Sequence, residues 1–272
     1  MPHSSVRPPE HDPRAPSLSV DSLSVHFDGV EALRQVSFNL PAGQRLAVVG
    51  PNGAGKTTLF NVLAGTQRPD GGTVRIFGHG PGGDTCIAYV PQRSRIDWSF
   101  PASAAEVVMM GRIREIGPLR FPGRRDWNVV RSALDQVGLT DQAGRPIGDL
   151  SGGQQQRVFL AQALAQEAEL ILLDEPFTGL DFPSQEALFT VLDALRSAGV
   201  TELVATHDLN LAAERFDSVM LLNRRLVAFG RPDNVLTRDN LVQAYGGHVH
   251  VLPEGDLLVL TDTCCEGDEG ET

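Results

Sequence analysis

Gly50-Pro51-Asn52-Gly53-Ala54-Gly55-Lys56-Thr57 stands between the wholly apolar run Leu46 to Val49 and a stretch with helical spacing, Leu59, Phe60, Val62 and Leu63. A buried strand, a glycine-rich turn and a helix in that order leave few folds open. The turn must lie where a strand of a covered parallel sheet ends and the helix packs back on that sheet. The spacing is that of a phosphate-binding loop: glycines let backbone N–H groups curl around oxygens without a Cβ clash, and the helix N-terminus adds the positive end of its dipole. In such a loop Lys56 supplies a full charge to β- and γ-phosphate oxygens, Thr57 offers a hydroxyl to Mg²⁺, and Thr58 bonds the α-phosphate.

Two further runs, Leu170 to Leu173 and Leu203 to Ala205, are also continuously apolar and fit central parallel strands covered on both faces. From Leu18 to Leu40 the pattern alternates instead, as in strands buried on one face. The helix after Gly55 should stop at Gly65. A second, starting near Pro183 and carrying Leu188, Val191, Leu192 and Leu195 on one face, should end at Gly199. Residues 93–165 hold no convincing strand. Ser103 and Glu106 have capping-box spacing there, and Asp126 is expected to cap a helix carrying Trp127, Val130, Leu134 and Val137. The expected architecture is an α/β core with a helical insert at about 93–165.

Leu170-Ile171-Leu172-Leu173-Asp174-Glu175 is an apolar strand ending in two carboxylates, the form in which a phosphate-loop enzyme places its second Mg²⁺ contact. Strand alternation sends neighbouring side chains to opposite sides, so the two acids should do different work. Asp174 suits the metal, and Glu175 suits a general base that polarises the attacking water. His207, after Leu203 to Ala205, should point into the same cleft from a strand end.

With 272 residues and 41% hydrophobic content, the chain can bury one large core. Its formal net charge of −11 excludes a surface built to neutralise nucleic-acid phosphates. The three cysteines, Cys86, Cys264 and Cys265, fit neither a disulfide framework nor a four-ligand zinc site, and read as reduced thiols in the cytosol. His248 and His250 lack a third ligand nearby and read as part of an ordinary strand and tail, although Cys264 and Cys265 could reach back to them. No stretch approaches the roughly 18 apolar residues of a membrane span, so a link to a membrane should run through another protein. Residues 1–16, with five prolines and almost no large apolar side chain, and the acidic end of an extension at 251–272 should be flexible. The folded domain is expected at 17–250.

Leu150-Ser151-Gly152-Gly153-Gln154 resembles the signature motif of ABC-type ATPases, and the rest of that family's series appears in order across about residues 18–245. The resemblance implies an adenine-stacking role for Phe27, a nucleotide-state reporter and Mg²⁺ contact in Gln92 after Tyr89-Val90-Pro91, and a seam residue in Asp181 of Gly179-Leu180-Asp181. It implies a P-loop NTPase (RecA-like) core with an antiparallel β subdomain and an α-helical subdomain carrying the signature. It further implies that Ser151, Gly152, Gly153 and Gln154 of one copy face the phosphate loop of another, sandwiching two Mg-ATP between two subunits. Where the family often has Ala-Arg-Ala-Leu after the signature, this chain has Ala161-Gln162-Ala163-Leu164, which loses one basic surface residue and touches no catalytic role.

Ile96-Asp97-Trp98-Ser99-Phe100-Pro101, Val107 to Arg112, Leu222 to Leu226 and Ala244-Tyr245-Gly246-Gly247 are similar to segments of bacterial zinc and manganese importer ATPases. Iron-siderophore and haem importers share much of this neighbourhood. That resemblance implies a homodimer of ATPase subunits, multi-span permease subunits, an extracytoplasmic substrate-binding protein, and a cytoplasmic position at the inner face of the membrane. The arginines from Arg112 to Arg125 could meet a membrane subunit or lipid headgroups, or simply line a solvated helix face. A soluble ABC ATPase of DNA repair or translation usually has paired domains, a coiled-coil insertion or basic arms, which this chain lacks. A P-loop kinase or GTPase would lack the signature and the base at Glu175.

Overall fold

The continuously apolar runs form the middle of a parallel sheet. In the computed structural model, which describes residues 16–80, 87–95, 98, 100–246, 249–251 and 258–260, β3 (Arg45–Val49), β6 (Leu170–Asp174) and β7 (Thr201–Ala205) are buried along their whole length. With β5 (Ile87–Val90), β8 (Ser218–Asn223) and β9 (Arg225–Gly230) they make a six-stranded sheet in the order β5-β6-β7-β3-β8-β9. Only β9 runs antiparallel to its neighbour.

Side-chain alternation divides this sheet's residues between two apolar clusters. Leu46, Val48, Leu172, Leu203, Met220 and Leu222 face a layer made by α1 (Lys56–Leu63) and a second sheet. That sheet has the antiparallel order β2-β1-β4, from β1 (Leu18–Phe27), β2 (Val30–Leu40) and β4 (Gly71–Ile76). Ala47, Val49, Ile171, Leu173, Val204 and Leu221 face the helices of the opposite layer.

The alternation in β1 and β2 is re-phased rather than regular. Ser22 (φ 51) and Gln35 (φ 46) take left-handed conformations, and the register shifts between Val20 and Leu23. The extra residue of a bulge returns the next apolar side chain to the buried face. Serine hydroxyls meet the bulged amides: Ser22 N donates to Ser37 Oγ (2.7 Å) and Gln35 N to Ser24 Oγ (3.0 Å).

The segment after β5 is helical, as the lack of strand patterning requires. It contains α2 (Ala104–Met110), α3 (Ile113–Ile116), α4 (Arg124–Gln136) and α5 (Gly152–Ala165), packed through Val108, Val130, Leu134, Val158 and Leu160. The Ser103–Glu106 capping box forms, with Ser103 N donating to Glu106 Oε2 at 2.8 Å. Asp126 does not cap α4. The helix starts three residues earlier than expected, with Gly123 at the cap and Asp126 in the first turn, where its Oδ2 accepts from Gly123 N (2.8 Å). The carboxylate serves the same orphan amides from inside the helix. The chain continues through α6 (Phe182–Ser197), α7 (Leu209–Arg215), α8 (Pro232–Val235) and α9 (Arg238–Tyr245) to a small antiparallel pair, β10 (Val249–Val251) and β11 (Leu258–Leu260).

Candidate active site

At Gly50 and Gly55 the loop between β3 and α1 passes so close to other backbone that there is no room for a side chain. A Cβ at Gly50 would lie 2.0 Å from the Leu222 carbonyl oxygen. One at Gly55 would lie 2.5 Å from the Ala32 oxygen, and its φ of 95° belongs to glycine's range. Lys56 Nζ donates to the carbonyls of Gly50 (2.6 Å) and Pro51 (3.1 Å), so the loop is closed around its own cation. Burial pushes the Lys56 amine below the usual lysine range, and the negative charges of Glu175 and Asp174 work against that shift. The buried ammonium, held by two carbonyls, can meet an anionic ligand without first being stripped of water.

The end of β6 supplies the carboxylates. Asp174 is buried, and its Oδ2 accepts from Thr57 Oγ1 at 3.0 Å. Glu175 leaves the strand in a left-handed conformation (φ 51), its amide held by the Ala205 carbonyl at 3.0 Å. Gln92 Nε2 donates to its Oε2 at 3.0 Å, and Thr178 Oγ1 reaches the same oxygen at 3.4 Å. A non-glycine residue at positive φ is strained and persists where the surroundings over-determine it. Here the turn carries Glu175 off the strand toward Gln92, while Asp174 stays on the Thr57 hydroxyl. The two acids therefore have different partners, as alternation requires.

An open cleft of about 890 Å³ is lined by the whole Gly50–Thr58 segment together with Gln92, Glu175 and His207. The cradle that Cβ atoms would fill, the buried Lys56 amine and the size of the cleft fit a nucleotide's phosphates. The hydroxyl and carboxylate of Thr57 and Asp174 are hard oxygen donors of the kind Mg²⁺ takes. Asp208, Asn210, Ala32 and Tyr245 also line the cleft, and the loop reading does not find them. Asp208 follows His207 directly and Asn210 lies three residues on, so the neighbourhood of that histidine is the one signal for them. Tyr245 arrives from the far end of the chain on α9, with no motif to announce it.

The remaining expected residues stand elsewhere in the fold. Phe27 ends β1 45% exposed and is not among the cleft-lining residues. Ser151 caps α5, exchanging bonds with Gln154 (Ser151 N to Gln154 Oε1, 3.0 Å; Gln154 N to Ser151 Oγ, 3.4 Å). Asp181 caps α6 through Ser184 N (3.1 Å), and the hydrogen bonds from Ser184 hold its carboxyl below the usual range. The starts of α5 and α6 touch: a Cβ at Gly153 would lie 2.6 Å from Ser184 Oγ. Ser151, Gly152, Gly153, Gln154 and Asp181 thus stand at the adjoining starts of α5 and α6, apart from the cleft; none lines it, and Gly153 is buried.

Among the described residues no group of three or more His, Cys, Asp or Glu could hold a metal ion, and no helix is long and apolar enough to cross a membrane. Residues 1–15, Cys86, Ile96, Asp97, Ser99, Gly247, His248, Cys264 and Cys265 lie outside the described residues. His250 stands in β10.

The ABC transporter family profile matches residues 33–178. The manganese transport system ATP-binding protein MntB of Bacillus subtilis is 42% identical over 87% of this chain and 95% of its own. The zinc transport system ATP-binding protein TroB of Treponema pallidum is 41% identical over 88% and 91%. The chelated iron transport system membrane protein YfeB of Yersinia pestis is 43% identical over 89% and 84%. In fold, the chain matches the ADP conformation of an ATP-binding cassette of an ABC transporter with a TM-score of 0.75, covering 85% of this chain and 98% of that one. The family model covers more than half of the chain and relatives above 40% identity span most of it: this chain belongs to the ABC transporter family.

Proposed function

We propose that the chain binds Mg-ATP and hydrolyses it in a two-copy assembly, powering import of Zn²⁺ or Mn²⁺ through separate membrane subunits. One observation carries the ATPase reading: Lys56, the Thr57–Asp174 pair and the Gln92–Glu175 pair line or adjoin one cleft, while the signature surface at Ser151 to Gln154 does not. Lys56 binds and orients the β- and γ-phosphates, and Thr58 the α-phosphate. Thr57, Asp174 and Gln92 would hold Mg²⁺, which when bound neutralises charge on the phosphate oxygens. Glu175 would take the proton of the attacking water at a carboxylate oxygen, and His207, which lines the same cleft, would stand beside the γ-phosphate.

A site lacking its signature is completed by a second copy, whose Ser151, Gly153 and α5 N-terminus would meet the γ-phosphate while Gln154 and Asp181 line the seam. Phe27 would stack on adenine. In this reading residues 17–250 form the ATPase domain, with 1–16 and 251–272 as flanking segments. The helical region shows Phe100, Ile113, Leu119 and Phe121 more than half exposed, an apolar surface that suits docking beneath a permease. An extracytoplasmic binding protein would deliver the ion, and the ATPase would sit peripherally at the cytoplasmic face of the membrane.

The metal assignment is supported by the manganese and zinc transport relatives. YfeB supports import of chelated iron as the second reading. Deleting the chain in its host separates them by elemental analysis of cells starved of each metal. We expect zinc or manganese to fall. Unchanged levels of both, with loss of iron-chelate uptake, would overturn the first reading in favour of the second.

A further inference from the structure

Gln92 and Arg93 are neighbours in the chain whose side chains serve different elements. Gln92 holds Glu175, as described. Arg93 Nε donates to Oε1 of Gln155 at 3.1 Å, and the buried Gln155 passes the contact on, its Nε2 donating to the Ile147 carbonyl at 3.0 Å. The Arg93 guanidinium also lies against Gly152, the first residue of α5, where a Cβ would come 2.9 Å from Nη1 and 3.2 Å from Cζ. Trp98 supports it from the other side. The indole Nε1 donates to the Arg93 carbonyl (3.1 Å), the guanidinium sits 5.5 Å from the indole ring centroid, and that ring meets Phe159 of α5 edge-on at 5.9 Å. Gln92, Arg93, Glu175 and Thr178 line one hollow of about 400 Å³.

From this geometry we infer that Arg93 is a positioning residue that links the two nucleotide sites of the dimer through a single chain. The inference rests on the two-copy reading above. Glu175 and Gln92 belong to the site built on this chain's phosphate loop, whereas α5 presents Ser151 and Gly153 to the nucleotide on the partner. A displacement of Gln92 must move Arg93, and a planar guanidinium packed on a glycine and bonded to a buried amide carries that displacement to the start of α5. By linkage the effect runs both ways, so closure around one nucleotide favours closure around the other. Arg93 itself is exposed while its acceptor Gln155 is buried, so the contact carries some folding energy and also fixes the guanidinium between Gln92 and Gly152.

The test uses the full chain carrying Glu175→Gln, with dimerisation driven by ATP and followed by light scattering across protein concentration. Adding Arg93→Ala is expected to weaken the ATP-bound dimer roughly tenfold, the scale of losing a charged hydrogen bond. The thermal midpoint should fall by only a few degrees as Gln155 Oε1 loses its donor, and binding of a fluorescent ATP analogue by the dilute monomer should stay at the parent value. Arg93→Lys keeps the charge but not the planar fork, and is expected to behave like Arg93→Ala. Gln155→Ala, which also frees the Ile147 carbonyl, should weaken the dimer as well, and the Arg93→Ala/Gln155→Ala pair should lose less than the sum of the two, because both break the Arg93–Gln155 contact. Parent-strength dimerisation in Arg93→Ala, or additive losses in the pair, would overturn the link while leaving the two-copy reading standing. Absence of any ATP-driven dimer in the Glu175→Gln parent would overturn that reading and the link with it.

Discussion

Glu175→Gln is expected to lower ATP turnover by roughly 10²–10⁴-fold, the usual cost of losing a general base, while nucleotide affinity stays close to wild type. The substitution keeps the side chain's length and an oxygen that can still accept from Gln92 Nε2, which now bonds the carboxylate at 3.0 Å. What it removes is the capacity to take a proton. Binding survives because Lys56, held by the Gly50 and Pro51 carbonyls, and the glycine-shaped loop are untouched. A single-turnover assay with radiolabelled ATP reads the chemical step, and equilibrium dialysis reads the affinity. Wild-type turnover in the folded variant would remove Glu175 from the role given to it.

The largest expected effect on stability lies at the opposite end of the parallel strands. Arg45 and Glu202 are directly opposite in the β3–β7 register, both almost wholly buried, with Arg45 Nε donating to Glu202 Oε2. Arg45 Nη1 also reaches Asp193 at 2.9 Å. Glu202→Ala leaves the arginine buried beside a cavity. Because Asp193 keeps one pairing, we expect a loss near the low end of the usual range for breaking a buried pair, about 3 kcal/mol in denaturant unfolding. The carboxyl also gives a pH signature. Burial pushes Glu202 up to about 7, with Arg45 opposing the shift. A folded-state pKa above the unfolded value means that the native state holds the proton more tightly, so this group's contribution is full below about 4.5 and is lost as pH rises through 7. Glu202→Gln lacks that titration. The stability of the wild type relative to Glu202→Gln should therefore decline from pH 5 to pH 8, and a flat or rising difference would contradict the burial argument.

Most of the lining of the cleft is legible in the sequence because each part is local. Loop, lysine and hydroxyl lie within Gly50 to Thr58, and the acids close an apolar run. The rule that finds β3, β6 and β7 applies equally to Val219 to Leu222, which is the buried length of β8. By contrast β4, with two glycines and one face outward, has no apolar run to read. The Arg45–Glu202 pair joins positions far apart in the chain, and only strand order brings them together. Tyr245 enters the cleft for the same reason, from a helix that packs on β8 and β9. Helix starts are local but degenerate: an acid serves the first-turn amides from the cap or from inside the first turn, which is why Asp126 is found inside α4. That the signature surface stands apart from the cleft follows from the helical segment between Gly55 and Ser151. The separation is visible in the sequence, while the contact of α5 with Arg93 and Ser184 is not.

The central claim is that one working site takes its phosphate loop from one copy and its signature from another, and mixing two defective chains tests it directly. Lys56→Ala disables the loop. Ser151→Arg places a bulky cation on the exposed cap of α5, at a folding cost of about 1 kcal/mol for the lost cap. Alone, each should be inactive, since every site in either homodimer carries one defect. Mixed in equal amounts, half the dimers pair the two variants, and each of these has one intact site out of two. ATPase activity should then rise well above that of either variant alone, to at most about a quarter of the wild-type rate, and below that to the extent that the two sites favour each other's closure. Wild-type turnover by Ser151→Arg alone, with no gain on adding Lys56→Ala, would show a site complete within one chain and contradict the account.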